Sequence, residues 1–376
     1  MIYFDNAATT KPSIEALEFA EKFNREYFFN PSALYREGIN VSKEIKNSKN
    51  VILRSLGLST DKYDVIFTAS GTESDNTAIF CSVKRGCFVT DKGEHSAVYK
   101  SFLELKQQGK IVHFVDLLKS GEINKDLLYD YVRHNAVDFL SIMHVNNETG
   151  AVNDINDIAD HVKKINPNII IHCDGVQSFG KIPYKMSDKI DFYSISAHKI
   201  NALKGVGALI RKKRVNLTPL IHGGGQEDGF RSGTENVFGI KVFEHAIVNH
   251  YMNLSLNFNN VKEINNYIRN NLDKGCFNIL SSENSSPYIL SISAIGLKGE
   301  VLMHCLEQEG IIVGNGSACS SRNRFSRVVE ACGYNKEVLD GVIRLSFSHE
   351  NTIEEAKTVV NTLNVLAKKL KGIMIK

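Results

Sequence analysis

Six short apolar runs, at 63–67, 87–90, 111–115, 139–145, 169–173 and 192–195, alternate with stretches long enough for a helix. This rhythm restricts the chain more than any single motif does. Strands joined by helical crossovers lie parallel, with the helices covering both faces of the sheet, so an α/β fold with a mainly parallel sheet is expected. In such sheets ligands gather beyond the carboxyl ends of the strands. Just after these runs come Ser70-Gly71-Thr72, His95, Asn147, Asp174 and Ser196-Ala197-His198-Lys199. Five separated segments are therefore expected to meet in one crevice.

Upstream of the first run, Pro12-Ser13 reads as a helix start, and Ile14, Leu17, Phe23 and Tyr27 recur at helical spacing. Ile45, Ile52 and Leu56 do the same, so two helices are expected before the first strand. From about residue 250 the character changes to Asn-rich helical sequence, followed by strand-like runs at 288–292 and 311–313. A last helix shows an apolar stripe through Ile353, Ala356, Val360, Leu363, Ala367 and Leu370. A chain of 376 residues is too long for one core. We expect a large domain over 13–249 and a smaller α+β domain built from 1–12 and 250–376.

Charge and cysteines narrow the function classes. A net charge of +3 gives no reason to expect direct nucleic-acid binding, and the run Arg211-Lys212-Lys213-Arg214 reads as a solvated strand end. The seven cysteines are scattered without a CxxC pair, so neither a disulfide framework nor a metal site is expected. The N-terminus lacks the apolar core of a signal peptide, and no run of about 18 apolar residues suggests a membrane span. The expected setting is cytoplasmic.

The crevice residues suit one cofactor type, an aromatic aldehyde phosphate such as pyridoxal 5'-phosphate. Lys199, set among small residues, supplies an amine that can hold the aldehyde. Asp174 can pair with a protonated ring nitrogen, while Asn147 and Gln177 can reach the ring's oxygen. Ser70, Gly71 and Thr72, at a helix start, offer N–H and hydroxyl donors for a phosphate, and Ser196 and His198 add to them. His95 can stack on the ring and move protons near neutral pH.

The segments YFDNAATT, NPSALYREG, FTASGTESDN, EHSAV, HVNNETG, HCDGVQSFGKIP, SISAHK, HGGGQEDGFRSGTEN, GSACSS and IRLSF occur in this order. Together they resemble the cysteine desulfurases of the class V aminotransferase group, over residues 3 to about 350. The resemblance implies a homodimeric fold type I pyridoxal-phosphate enzyme that converts L-cysteine to L-alanine and leaves a persulfide on Cys319. Sulfur would then pass to an acceptor protein, for iron–sulfur clusters or thiolated tRNA. It further implies that Arg344 holds the substrate carboxylate and that Thr234 reaches the phosphate of the partner subunit. From its surroundings, Cys319 lies in a Gly- and Ser-rich stretch near Arg322 and Arg324, which favours a mobile loop and thiolate character.

Tyr35, Ala69-Ser70, Asn201-Ala202-Leu203 and Asp228 depart from the pattern without removing a proposed catalytic group. Two other readings share much of this sequence: a selenocysteine lyase or other β-eliminating enzyme that does not need Cys319, and a non-catalytic sulfur-relay scaffold.

Overall fold

The computed structural model describes residues 1–83, 85–315 and 325–374. Strand β1 (Ile2–Phe4) precedes helices α1 (Ile14–Glu26) and α2 (Arg36–Ser55). Then follow β2 (Tyr63–Thr68), α3 (Gly71–Ser82), β3 (Cys87–Asp91), α4 (Ser96–Gln107), β4 (Ile111–Val115), α5 (Lys125–His134) and β5 (Val137–Met143). The run continues through α6 (Ile155–Ile165), β6 (Ile170–Asp174), β7 (Phe192–Ser196) and β8 (Gly207–Lys212). Beyond lie α7 (Val237–Met252), α8 (Leu254–Asn271), β9 (Phe277–Ile279), β10 (Ile289–Ala294), α9 (Gly299–Gln308) and β11 (Ile311–Val313). The described chain closes with α10 (Arg327–Ala331), α11 (Lys336–Asp340), β12 (Val342–Ser346) and α12 (Ile353–Met374).

Seven of these strands form one sheet in the order β2-β8-β7-β6-β5-β3-β4. The pairs β3–β4, β3–β5, β5–β6 and β6–β7 are parallel, and β8 runs antiparallel between β7 and β2. Every residue of β3 and β7 is buried, because helices cover both faces. The expected mainly parallel α/β sheet is thus present. One strand sits differently from its sequence reading: β5 starts at Val137 and ends at Met143, while Val145 bridges to Val152 instead.

Two details of the surface also differ. Arg211 and Lys212 are buried rather than solvated, because Arg211 pairs with Asp64 at 2.6 Å and lies over the Phe230 ring, while Lys212 donates to the Asp188 carbonyl. In α1 the core face is Ala16 and Ala20, whereas Ile14 is exposed, since the small alanines let α1 pack closely on α7.

A second apolar core gathers around β10, which pairs antiparallel with both β12 and β9. A strand also comes before the two expected helices: β1 pairs in parallel with β11, and Asp5 bridges to Ser346 beside β12. Phe4 anchors this start of the chain, edge-on to Phe347 at 5.0 Å. Full burial of such a ring is worth about 1.5–3 kcal/mol. Ala356, Val360, Leu363 and Ala367 of the α12 stripe are buried in the same core. The residues after Phe4 are thereby led across to the carboxyl ends of the large sheet.

Candidate active site

A cavity of about 320 Å³ opens at those strand ends, lined among others by Ser70, Gly71, Thr72, His95, Asn147, Asp174, Gln177, Ser196, His198, Lys199 and Arg344. The β2–α3 turn forms one wall. Ser70 caps α3 by accepting the Glu73 N–H at 3.1 Å, and the Glu73 carboxylate reaches back to the Ala69 N–H at 2.8 Å. The first N–H groups of α3 are left facing the cavity end of the helix, an anion-binding arrangement. Glycine is required here by close approach: a Cβ on Gly71 would lie 2.8 Å from Val176 Cγ2, and one on Gly207 would lie 2.5 Å from the Ser70 carbonyl carbon.

His95 caps α4, with its ring Nδ1 accepting the Ala97 N–H at 3.2 Å. Since Nδ1 is an acceptor, a neutral ring carries its proton on Nε2. Burial, aided by the nearby charges of Lys199 and Arg327, pushes the His95 pKa down to about 4, so the ring is neutral at pH 7. Asp174 ends β6, is almost fully buried, and accepts the Val176 N–H at 2.9 Å. Burial first, then the neighbouring Asp75, push the Asp174 carboxyl up to about 7.

Sequence reasoning missed Asp75 as a site residue. It lines the cavity one turn into α3, and its carboxylate, the His95 ring and the Asp174 carboxylate bring donor atoms within 4.8 Å of one another. The available signal was an acidic residue on the stripe Gly71, Ser74, Asp75, Ala78 and Ile79, all buried against the sheet.

Lys199 follows β7 in a short helical turn, and its Nζ donates to the Ala7 and Ala8 carbonyls at 2.6 and 2.8 Å. The turn is tied down on both sides. His198 Nδ1 lies 3.2 Å from Thr9 Oγ1, and Asn201, in the left-handed region at φ 59°, donates from its side chain to the Lys11 carbonyl at 2.9 Å. Asn tolerates that conformation better than most residues, which suits it to this turn. Gln177 donates to the Ala7 carbonyl at 2.9 Å and accepts from Lys181 at 3.0 Å.

Arg344, on β12, is held in a fixed plane. Its Nη1 donates to the Asn147 carbonyl at 2.8 Å and its Nη2 to Asp5 at 2.7 Å. Among the described residues, two buried polar atoms of lining residues, Asn147 Oδ1 and Arg344 Nε, have no hydrogen-bond partner. Such atoms each cost about 1–3 kcal/mol unless a ligand meets them. A polar aromatic phosphate with a carboxylate-bearing substrate matches this set of donors and acceptors.

Cys319 lies outside the described residues. Its neighbours on both sides are placed at the cavity: Gly314 exchanges backbone hydrogen bonds with Arg344, Ser326 donates to Glu148 in the cavity wall, and Arg327 donates to the Lys92 and Glu94 carbonyls. Thr234 is not brought to the Lys199 cavity. It is exposed and lines a separate hollow with Ala69, Gly205, Arg231 and Asn236.

Residues 2–359 match the family Aminotransferase class-V. The chain is 32% identical to the cysteine desulfurase IscS of Dictyoglomus turgidum, covering 99% of this chain and 96% of that one. It superposes on a solved NifS-like protein with a TM-score of 0.90 at 30% identity, over 98% and 99% of the two chains. A structure described as SspA in complex with cysteine matches at a TM-score of 0.79 and 27% identity, over 93% and 99%. With this fold, this set of strand-end residues and relatives matched along their whole length, the chain belongs to the cysteine desulfurases of the pyridoxal-phosphate-dependent class-V aminotransferase family.

Proposed function

We propose that this chain converts L-cysteine to L-alanine, with Cys319 taking the sulfur as a persulfide and passing it to an acceptor protein for iron–sulfur cluster assembly or tRNA thiolation. The observation that carries the reading is the convergence of Lys199, Asp174, His95 and Arg344 on one cavity. Pyridoxal phosphate, when bound, supplies an electron sink conjugated to the substrate's α-carbon. In this reading Lys199 holds the cofactor aldehyde, Asp174 pairs with the ring nitrogen, and the Ser70-Gly71-Thr72 turn with Ser196 and His198 receives the phosphate. Asn147 and Gln177 serve the ring oxygen.

The protein groups then divide the work. Arg344 takes the substrate carboxylate, for which its Nε, without a partner among the described residues, offers a donor in a plane already fixed by Asp5 and Asn147. The Lys199 amine would take up and return a proton, and His95 would hand one over from Nε2. The Cys319 thiolate attacks the substrate sulfur: an S–S bond forms, the C–S bond breaks, and its electron pair stays with the substrate carbon, which is protonated to alanine. Gly314 and Ser326, on either side of the segment that holds Cys319, bond Arg344 and the cavity residue Glu148, which supports this role.

A homodimer fits the same reading, because Thr234 stands apart from its own Lys199 and is exposed. Apolar residues around the α1–α2 connection, Phe28, Leu34, Tyr35 and Ile39, are exposed as well. The six described cysteines are free thiols, which supports a reducing, cytoplasmic setting. Among the described residues no helix is long and apolar enough to cross a membrane.

The test is Cys319→Ala. The variant is expected to keep the visible absorbance of bound cofactor while alanine release from cysteine falls to the blank. Full alanine release would remove Cys319 from the reaction and favour a lyase of the selenocysteine-lyase type, while pyruvate in place of alanine would indicate a β-eliminating enzyme.

A further inference from the structure

Lys181, in the segment that follows β6, is only 4% exposed yet makes no ion pair among the described residues. Its Nζ donates to Gln177 Oε1 at 3.0 Å and lies 6.0 Å from the centre of the Tyr288 ring. A buried lysine without a carboxylate is costly to keep and calls for an explanation. On its far side, the Gln177 amide donates through Nε2 to the Ala7 carbonyl, the same oxygen that receives Lys199 Nζ. Lys181, Gln177, Ala7 and Lys199 thus form one continuous hydrogen-bonded series.

An amide side chain presents either its oxygen or its NH₂ group to a neighbour, and packing alone rarely decides which. An ammonium has donors only. With Lys181 on one side, Oε1 must turn toward it, and the NH₂ group must face the cavity. We propose that Lys181 is a positioning residue that acts through Gln177, locking its amide as a donor toward the cavity, so that the site favours an anionic oxygen on the cofactor ring. The proposal rests on the pyridoxal-phosphate reading of the site.

The groups around Lys181 weaken its charge and leave its hydrogen bond to Gln177. Burial, and then the charges of Lys199 and Arg344, push Lys181 down to about 7. Burial, with lesser help from Lys199 at His198 and from His349 at His250, holds both rings neutral, and Tyr288, stripped of water by burial, keeps its proton. Cationic or neutral groups therefore surround Lys181. What Lys181 passes to the cavity is its donation to Gln177 Oε1, which fixes the direction of the amide.

The experiment is a pH titration of the visible absorbance of the cofactor-loaded protein, without cysteine. Lys181→Met removes the charge and the lock at nearly constant volume. Protonation of the bound chromophore becomes easier, so the midpoint is expected to rise by at least about half a pH unit. In Lys181→Ala, added ethylammonium is expected to bring the midpoint back. Because Lys181 acts through Gln177, Gln177→Leu/Lys181→Met should shift the midpoint no further than Gln177→Leu alone. An unchanged midpoint in loaded Lys181→Met, or a fully additive double variant, overturns the proposal. Colourless wild-type protein would instead strike at the cofactor reading itself, so the two failures are told apart.

Discussion

Asp75 and Asp174 show how single residues prepare this cavity. Both carboxyls are pushed up to about 7 by burial, and Asp75 raises Asp174 further. An unfolded carboxyl titrates near 4, so between roughly pH 4 and 7 the folded, cofactor-free chain binds more protons than the unfolded one. These groups therefore favour the folded state most below that window, and the advantage is lost as pH rises through it. A cationic ring nitrogen beside Asp174 reverses the balance by stabilising the ionised form. Asp75→Asn is expected to stabilise the cofactor-free protein at pH 8 by on the order of 1–3 kcal/mol, with little gain at pH 5. Thermal melts at the two pH values check this, and equal gains at both would contradict it. The position of Asp174 at the cavity was readable from its place after an apolar run, but that of Asp75 was not. An acidic residue in a helix is ordinarily a solvated one, and only packing on the sheet turns it inward.

At the scale of elements, the β2–α3 turn depends on β8 passing directly beneath it. Gly207 makes that passage, and a Cβ there would fall within the Ser70 backbone. Gly207→Ala is expected to push the Ser70-Gly71 turn out of place at a cost of about 1–3 kcal/mol. Cofactor affinity should drop about 10- to 100-fold, read by spectral titration. Unaltered affinity would show that the turn does not hold the phosphate. The strands of the large sheet were legible because each is an apolar run bounded by polar turns. Strand β1 was not, since three residues carry no periodicity and their pairing partner, β11, lies some 300 positions away. Helix α1 was legible from its apolar spacing, but its most buried residues, Ala16 and Ala20, were not, because they carry little hydrophobic signal and closeness to α7 decides their burial.

Across the whole molecule, the site depends on contacts that no local pattern encodes. The Ala7 and Ala8 carbonyls receive the Lys199 amine, and Asp5 braces Arg344, only because β1 joins the second core and leads the chain across the sheet's carboxyl ends. The expected convergence of strand ends followed from the α/β rhythm alone, and the resemblance supplied the residues that lie far from it, Arg344 and Thr234. Lys181 escaped both, because it touches the cavity only through Gln177. The central claim is that Lys199, and not its buried neighbour Lys181, holds the cofactor. Borohydride reduction of the loaded protein, followed by digestion and mass spectrometry, tests it directly: the phosphopyridoxyl group is predicted on the peptide containing Lys199, and its appearance on the Lys181 peptide, or on none, would contradict the account.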